Sequence, residues 1–188
     1  MKASEQKVTQ YLVEARASED ALVRVLQSQI AMTPTGAYRS ALERHLNETR
    51  RHSERIADRV KEINDSRPNP IPILIGLWEE IAGQMLAFGK TPLDLLRGSG
   101  GEEKVLKNAK DACATEALEI ATYTALERLA RSVGDKQTAD LAAEIRADEE
   151  KMLERILREI PKLAEAVVGA DVRGNGSYDV STTGAGQA

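Results

Sequence analysis

Apolar residues recur at three- and four-residue steps along most of the chain, and the interruptions divide it into segments. Over residues 4–31, Val8, Leu12, Ala15, Leu22, Leu26 and Ile30 trace one helical face. TPTG at 33–36 breaks this pattern, with Thr33 placed to cap a second helix and Pro34 to occupy its first position. That helix is expected over 35–65, with Tyr38, Ala41, Leu42, Ile56, Val60 and Ile63 as its stripe, and SRPNPIP ends it. Residues 68–102 differ: they are proline-rich around the short oily run ILIGLWEEIAGQMLAF, which reads as a helical crossover connection. A third helix is expected over 102–133, preceded by Ser99 and Glu102 at capping-box spacing and ended by Gly134–Asp135. A fourth follows over 136–168, with a kink or break at Pro161. The tail from Gly169 to Ala188 is rich in Gly, Ser and Thr and is expected to be disordered.

The segments form a hairpin, a long crossover and a second hairpin. That is the connectivity of an all-α, ferritin-like four-helix bundle over residues 1–168, though cytokine-like and plain bundles share the layout. A composition of 41% hydrophobic and only 3% aromatic residues suits long amphipathic helices packed with Leu, Ile, Val and Ala. The net charge of −4, with Lys and Arg scattered, carries no nucleic-acid footprint. A single cysteine, Cys113, excludes an internal disulfide and fits a reducing compartment. The polar N-terminus carries no signal peptide, and IPILIGLW is too short to span a membrane. The expectation is a soluble cytoplasmic protein that binds neither nucleic acid nor membrane.

Candidate chemistry enters through acids that fall on the oily stripes. At about 100° per residue, Glu19 lies on the line of Leu12, Ala15, Leu22 and Leu26. His45 and His52, the only histidines, lie on the line from Tyr38 to Ile56, with Glu48 at its edge. Glu116 lies among Val105, Ala109, Ala112, Ile120 and Tyr123, flanked by Glu119, and Glu149 lies among Ala142, Ile145, Met152 and Ile156. Buried carboxylates are costly unless paired or bound to a metal, and several together would have to take up protons. Height along the hairpins points the same way. Glu19 and Glu48 are equidistant from the Thr33–Pro34 turn, and Glu116 or Glu119 is level with Glu149 across the Ser132–Gly134 turn.

Mixed carboxylate and imidazole ligation suits iron or manganese. The candidate ligands are Glu19, Glu48, Glu116 and Glu149, with Glu119 as a bridging or shifting carboxylate and His52 or His45 as the nitrogen ligand. The set departs from the di-metal pattern of one Glu from each of two helices plus Glu-x-x-His from the others. Helix 2 offers Glu48-x-x-x-His52, and helix 4 has no histidine.

ASEDALVRVL, HLNETRRHSERI, GLWEE, TEALEIATYTAL and ADEEKMLERI, in this order over roughly residues 8–165, resemble the YciF-type ferritin-like family of bacterial stress proteins. The resemblance implies a dimeric four-helix bundle with a di-metal site at Glu19, His45, Glu48, His52, Glu116, Glu119 and Glu149, and it brings no settled activity. The Glu-x-x-Glu of helix 3 is similar to that of rubrerythrin, without rubredoxin-type cysteines.

The expected function is redox reaction of two Fe or Mn ions with oxygen or peroxide in a stress-protective role. The alternative is a metal-free structural dimer in which Arg51, Arg55, Arg128 or Arg146 neutralises the buried acids. Cys113 reads as a small core residue, and Tyr123 as core packing or as a hydrogen-bond donor to a ligand carboxylate. Trp78, Met85 and Phe88 of the crossover read as either bundle cover or a homodimer patch, with the patch favoured. Tyr178 is the one aromatic anchor in the tail.

Overall fold

The computed structural model describes residues 3–66 and 101–184, and the four periodic segments within them are helices. They are α1 (Ala3–Met32), α2 (Ala37–Asp65), α3 (Gly101–Ser132) and α4 (Lys136–Arg173), followed by a short 3-10 turn at Val180–Thr182. The described residues form an all-α four-helix bundle. In it α1 packs on α2 and α3, and α4 on α3 and α2. The crossover, with Trp78, Met85 and Phe88, lies outside the described residues, as do Ser99 and the last four residues.

The two hairpin turns are built differently. Thr33 does not cap α2; its hydroxyl donates to the Gln29 carbonyl at 2.7 Å and closes α1 instead. The residue before α2 is then Gly36, and Pro34 stands outside the helix. Between α3 and α4, Gly134 adopts φ 80°, a left-handed conformation that favours glycine. Asp135 caps α4, its carboxylate accepting from the Thr138 backbone N–H at 3.0 Å. The same carboxylate accepts from Arg59 of α2 at 2.7 Å, so the cap also fastens α4 to its neighbour.

α4 runs unbroken through Pro161 to Arg173. Proline withdraws one donor from the ladder, at the carbonyl of Leu157, a residue exposed enough for water to substitute. Gly174, at φ 68°, ends the helix. In place of the expected disorder, residues 175–184 fold back across the end of the bundle. Glu102 accepts from the backbone N–H groups of Ser177 and Tyr178, each at 2.6 Å, so its side chain holds the tail. The Tyr178 hydroxyl donates to the Met32 carbonyl at 2.9 Å, and its ring occupies the space that a Cβ at Gly101 would need. Arg39 donates to the carbonyls of both Thr33 and Thr182.

These contacts put the end of α1 and the starts of α2 and α3 at one end of the bundle. The Arg59–Asp135 pair puts the end of α2 at the other. The chain between Ser66 and Gly101 therefore joins opposite ends of the bundle, the length of α2, roughly 40–45 Å at 1.5 Å per residue.

The core is layered along the bundle axis. One apolar cluster holds Leu12, Ala15, Ile56, Tyr123, Leu126 and Ile145, towards the Asp135 end. The other holds Leu22, Leu26, Leu42, Ala112, Met152 and Ile156, towards the tail. On every helix buried polar residues stand between the two clusters: Glu19, then His45, Thr49 and His52, then Glu116 and Glu119, then Glu149. No helix among the described residues is long and apolar enough to cross a membrane.

Replacing Asp135 with Ala removes a helix cap and a largely buried partner of Arg59. The expected loss is about 1–2 kcal/mol, measured as a lower urea midpoint at unchanged slope; an unchanged midpoint would show that the cap is not needed.

Candidate metal centre

The polar layer brings both hairpins to one height, which the sequence spacing left open. Glu19, His45, Thr49, Glu116 and Glu149 have no exposed surface, and His52 and Glu119 have almost none. Two ligand groups emerge. His45, Glu116, Glu119 and Glu149 each offer one atom, all within 4.8 Å of one another; Glu19, His52 and Glu149 do the same. Glu149 belongs to both groups, one oxygen for each side.

The individual contacts bear this out. His45 Nε2 lies 3.0 Å from Glu116 Oε1 and its Nδ1 4.0 Å from Glu149 Oε2. His52 Nδ1 lies 2.9 Å from Glu149 Oε1 and 3.6 Å from Glu19 Oε1. The Tyr123 hydroxyl donates to Glu19, and Ser18 donates to Glu119 at 3.3 Å. Tyr123 thus fills a core position and also holds a carboxylate.

Close approach is not matched by hydrogen bonding. Both ring nitrogens of His45, Nδ1 of His52, both oxygens of Glu116 and of Glu149, and Oε2 of Glu19 and Glu119 are buried without a hydrogen-bond partner. Orphaned buried polar atoms are rare and call for an explanation. Here they converge, and they are lone-pair donors with the softness and charge that divalent iron or manganese accepts. Four buried carboxylates with two neutral imidazoles also balance the charge of two divalent cations. The residues present fit a metal, and these buried His and Glu groups can hold one.

Without an ion, the layer must handle its charge by holding protons. Burial pushes the Glu116 carboxyl up to about 8, with the Glu19 charge adding to the rise. Burial also raises Glu19, Glu149 and, most strongly, Glu119, whose acidic neighbours reinforce the effect. Burial alone would lower both imidazoles. It prevails at His45, whereas Glu149 and Glu19 outweigh it at His52 and hold that ring up at about 10.

Glu48 does not join either group. It is half-buried, and Arg155 of α4 stands 3.3 Å from its carboxylate. With α1 ending at Met32 and α2 starting at Ala37, the hairpin is centred later than Thr33–Pro34, which leaves Glu48 and His52 equally displaced from the level of Glu19. Packing favours His52, whose buried ring stands 3.6 Å from Glu19, while Glu48 stays at the half-buried edge of the stripe. The arginine network is not built around the acids either. Arg55 pairs with Glu144, Arg146 with Glu127 and Glu150, and Arg51 and Arg128 are exposed. Cys113 is half-buried against the tail-end apolar cluster, outside both ligand groups.

Comparison with known proteins agrees with this architecture. Residues 8–169 match the domain of unknown function DUF892. The chain belongs to this family. Among solved structures, the bundle is similar to that of a protein from Xanthomonas campestris pv. campestris, with a TM-score of 0.68 at 20% identity over 90% of this chain and 98% of that one. It is also similar to the E. coli stress protein YciF, with a TM-score of 0.66 at 20% identity over 88% of this chain and 99% of that one. No curated protein matches the chain.

Two further polar residues of this chain lie at the layer, off the candidate ligand set. Asp148 reaches His52 Nε2 at 3.5 Å from the bundle surface. Thr49 is wholly buried between the two histidines on α2 with its hydroxyl unpartnered. Thr115, Thr122 and Thr124 each donate to the carbonyl four residues back. The free hydroxyl of Thr49 departs from that habit, and its spacing from His45 and His52 was the signal available in the sequence.

The pH dependence of the metal-free protein follows from these shifts. A carboxyl raised on folding leaves the native state holding more protons than the unfolded state, so stability falls as pH rises between the two values. For Glu116 that window runs from 4.5 to about 8. His52, also raised, contributes stability below 6.5 that is lost as pH climbs towards about 10. Urea unfolding of the chelator-treated protein should show stability declining from pH 5 towards 8, and Glu116→Gln should flatten that decline. A profile that rises over this range would contradict the buried, protonated layer.

Proposed function

We propose that the polar layer is a di-metal centre that binds two iron or manganese ions and reacts with oxygen or peroxide, serving a protective role under stress in the cytoplasm. The observation that carries this reading is the sharing of Glu149 between two buried ligand groups, an arrangement suited to two neighbouring ions. His45, Glu116, Glu119 and Glu149 would hold one ion, and Glu19, His52 and Glu149 the other. Such a pair supplies two one-electron changes, matching the two-electron reduction of hydrogen peroxide to water.

The residues of the chain prepare the site for this chemistry. The apolar layers above and below exclude bulk water and strengthen every charge interaction inside. Tyr123 holds a proton on its hydroxyl against Glu19 and fixes the orientation of that carboxylate. The second group would bring three protein ligands against four from the first, so an ion there would keep more positions for a small oxidant. The link to stress draws on the similar E. coli structure, which is that of a stress protein. A homodimer, seated on the crossover, is the expected assembly.

The test is metal content by mass spectrometry on protein purified without chelators and then loaded anaerobically with Fe(II) or Mn(II). About two ions per chain are expected. Glu149→Ala should lose both, Glu116→Ala should keep one, and Glu48→Ala should keep the full complement. No bound metal above background in the loaded wild-type protein would overturn the reading.

A further inference from the structure

His52 differs from His45 in what stands behind it. Both Nδ1 and Nε2 of His45 face interior carboxylates, Glu149 and Glu116. His52 turns Nδ1 inward to Glu149 and Glu19, while its Nε2 faces outward to Asp148 Oδ2 at 3.5 Å. The Asp148 carboxylate is itself held: Lys151, one turn along α4, donates to Oδ1 at 2.9 Å. One carboxylate oxygen is thereby engaged at the surface, and the other is left to the imidazole.

A neutral imidazole carries one N–H, and the other nitrogen supplies the lone pair that binds a metal. His52 is almost wholly buried, so its N–H needs an acceptor wherever it sits. With Asp148 outside and an ion in place of the proton inside, the ring would keep its N–H on Nε2 and turn the Nδ1 lone pair to the ion.

We propose that Asp148 is a positioning residue: it holds the Nε2–H of His52, fixes the ring and its tautomer, and so directs Nδ1 at the ion shared by Glu19 and Glu149. Asp148 touches no ion itself. The inference rests on the di-metal reading and adds an inequality between its halves. One position has its histidine secured from the surface of the bundle; the other depends on interior acids alone.

Zn(II) serves as a diamagnetic probe for the test. Ion stoichiometry and affinity are measured by competition with a chromophoric chelator, and the histidine ring nitrogens are followed by 15N NMR in the loaded protein. Asp148→Ala should weaken one of the two ions about 10- to 100-fold and leave the other unchanged. The His52 signals should lose the pattern of a coordinated Nδ1 with a protonated Nε2. Asp148→Asn keeps an acceptor carbonyl and should restore most of the affinity. Asp20 is the control for charge alone. It is a carboxylate of equal exposure next to Glu19 that accepts from Ser53 at 2.6 Å rather than from His52. Asp20→Ala should change neither readout.

Two wild-type ions with an unaltered His52 pattern in Asp148→Ala would overturn the inference while leaving the di-metal reading intact. Equal weakening in Asp20→Ala would reduce Asp148 to a general charge effect and overturn it too. A wild-type chain that takes up no Zn(II), Fe(II) or Mn(II) overturns both. Circular dichroism checks that each variant is folded, as expected for changes at partly exposed positions.

Discussion

Four glutamates buried at one height, between two apolar layers, set the terms for this bundle. A carboxylate away from water is stable only as a protonated acid, as half of an ion pair or as a metal ligand. Arg55 and Arg146 are engaged with Glu144, Glu127 and Glu150, so they do not supply the pairing. Among the described residues, what remains is protons, the one on His52 included, or metal ions. The raised carboxyls describe the first state, and the convergent unpartnered oxygens and ring nitrogens describe readiness for the second. The same residues cannot serve both at once, so an ion that bound here would release protons in the same event.

The helices deliver these groups with little freedom. Short turns at 33–36 and 133–135 lock the two members of each hairpin in register. Leu12 and Leu22 on α1, Leu42 and Ile56 on α2, Ala112 and Tyr123 on α3, and Ile145 and Met152 on α4 clamp the polar residues from both sides. Side chains packed in this way hold their rotamers, and a ligand set built on helices is held more tightly than one built on loops. Glu149 sits where this matters most, since a shift of α4 would disturb both ligand groups together.

Much of this was legible in the chain. Glu19, Glu116 and Glu149 stand out because a charged residue interrupts a stripe that is otherwise Leu, Ile, Val and Ala, and periodicity alone assigns them inward. Register was harder. Spacing from the turn leaves Glu48 and His52 equally displaced from Glu19, and the choice falls to packing: His52 turns in towards Glu19, and Glu48 turns to Arg155 of α4, a partner distant in sequence. Asp148 escaped notice for a related reason: helical spacing sends it off the stripe, and its value comes from the ring of His52 on a neighbouring helix. The tail looked disordered because its Gly, Ser and Thr bury little. Its order comes from a handful of hydrogen bonds to Glu102, Met32 and Arg39, each supplied by a residue distant in sequence.

The two ends of the bundle are fastened by different means. At one end Arg59 joins α2 to the cap of α4 through a largely shielded ion pair and neutral hydrogen bonds to Thr138 and Gln137. At the other, a strap of ten or so residues crosses from α4 to α3, α1 and α2, held mostly by backbone groups near the surface. Local opening begins where few apolar contacts hold the chain. Fraying of the strap therefore uncovers the tail-side apolar layer, Leu22, Leu26 and Leu42 among it, before it reaches the buried glutamates.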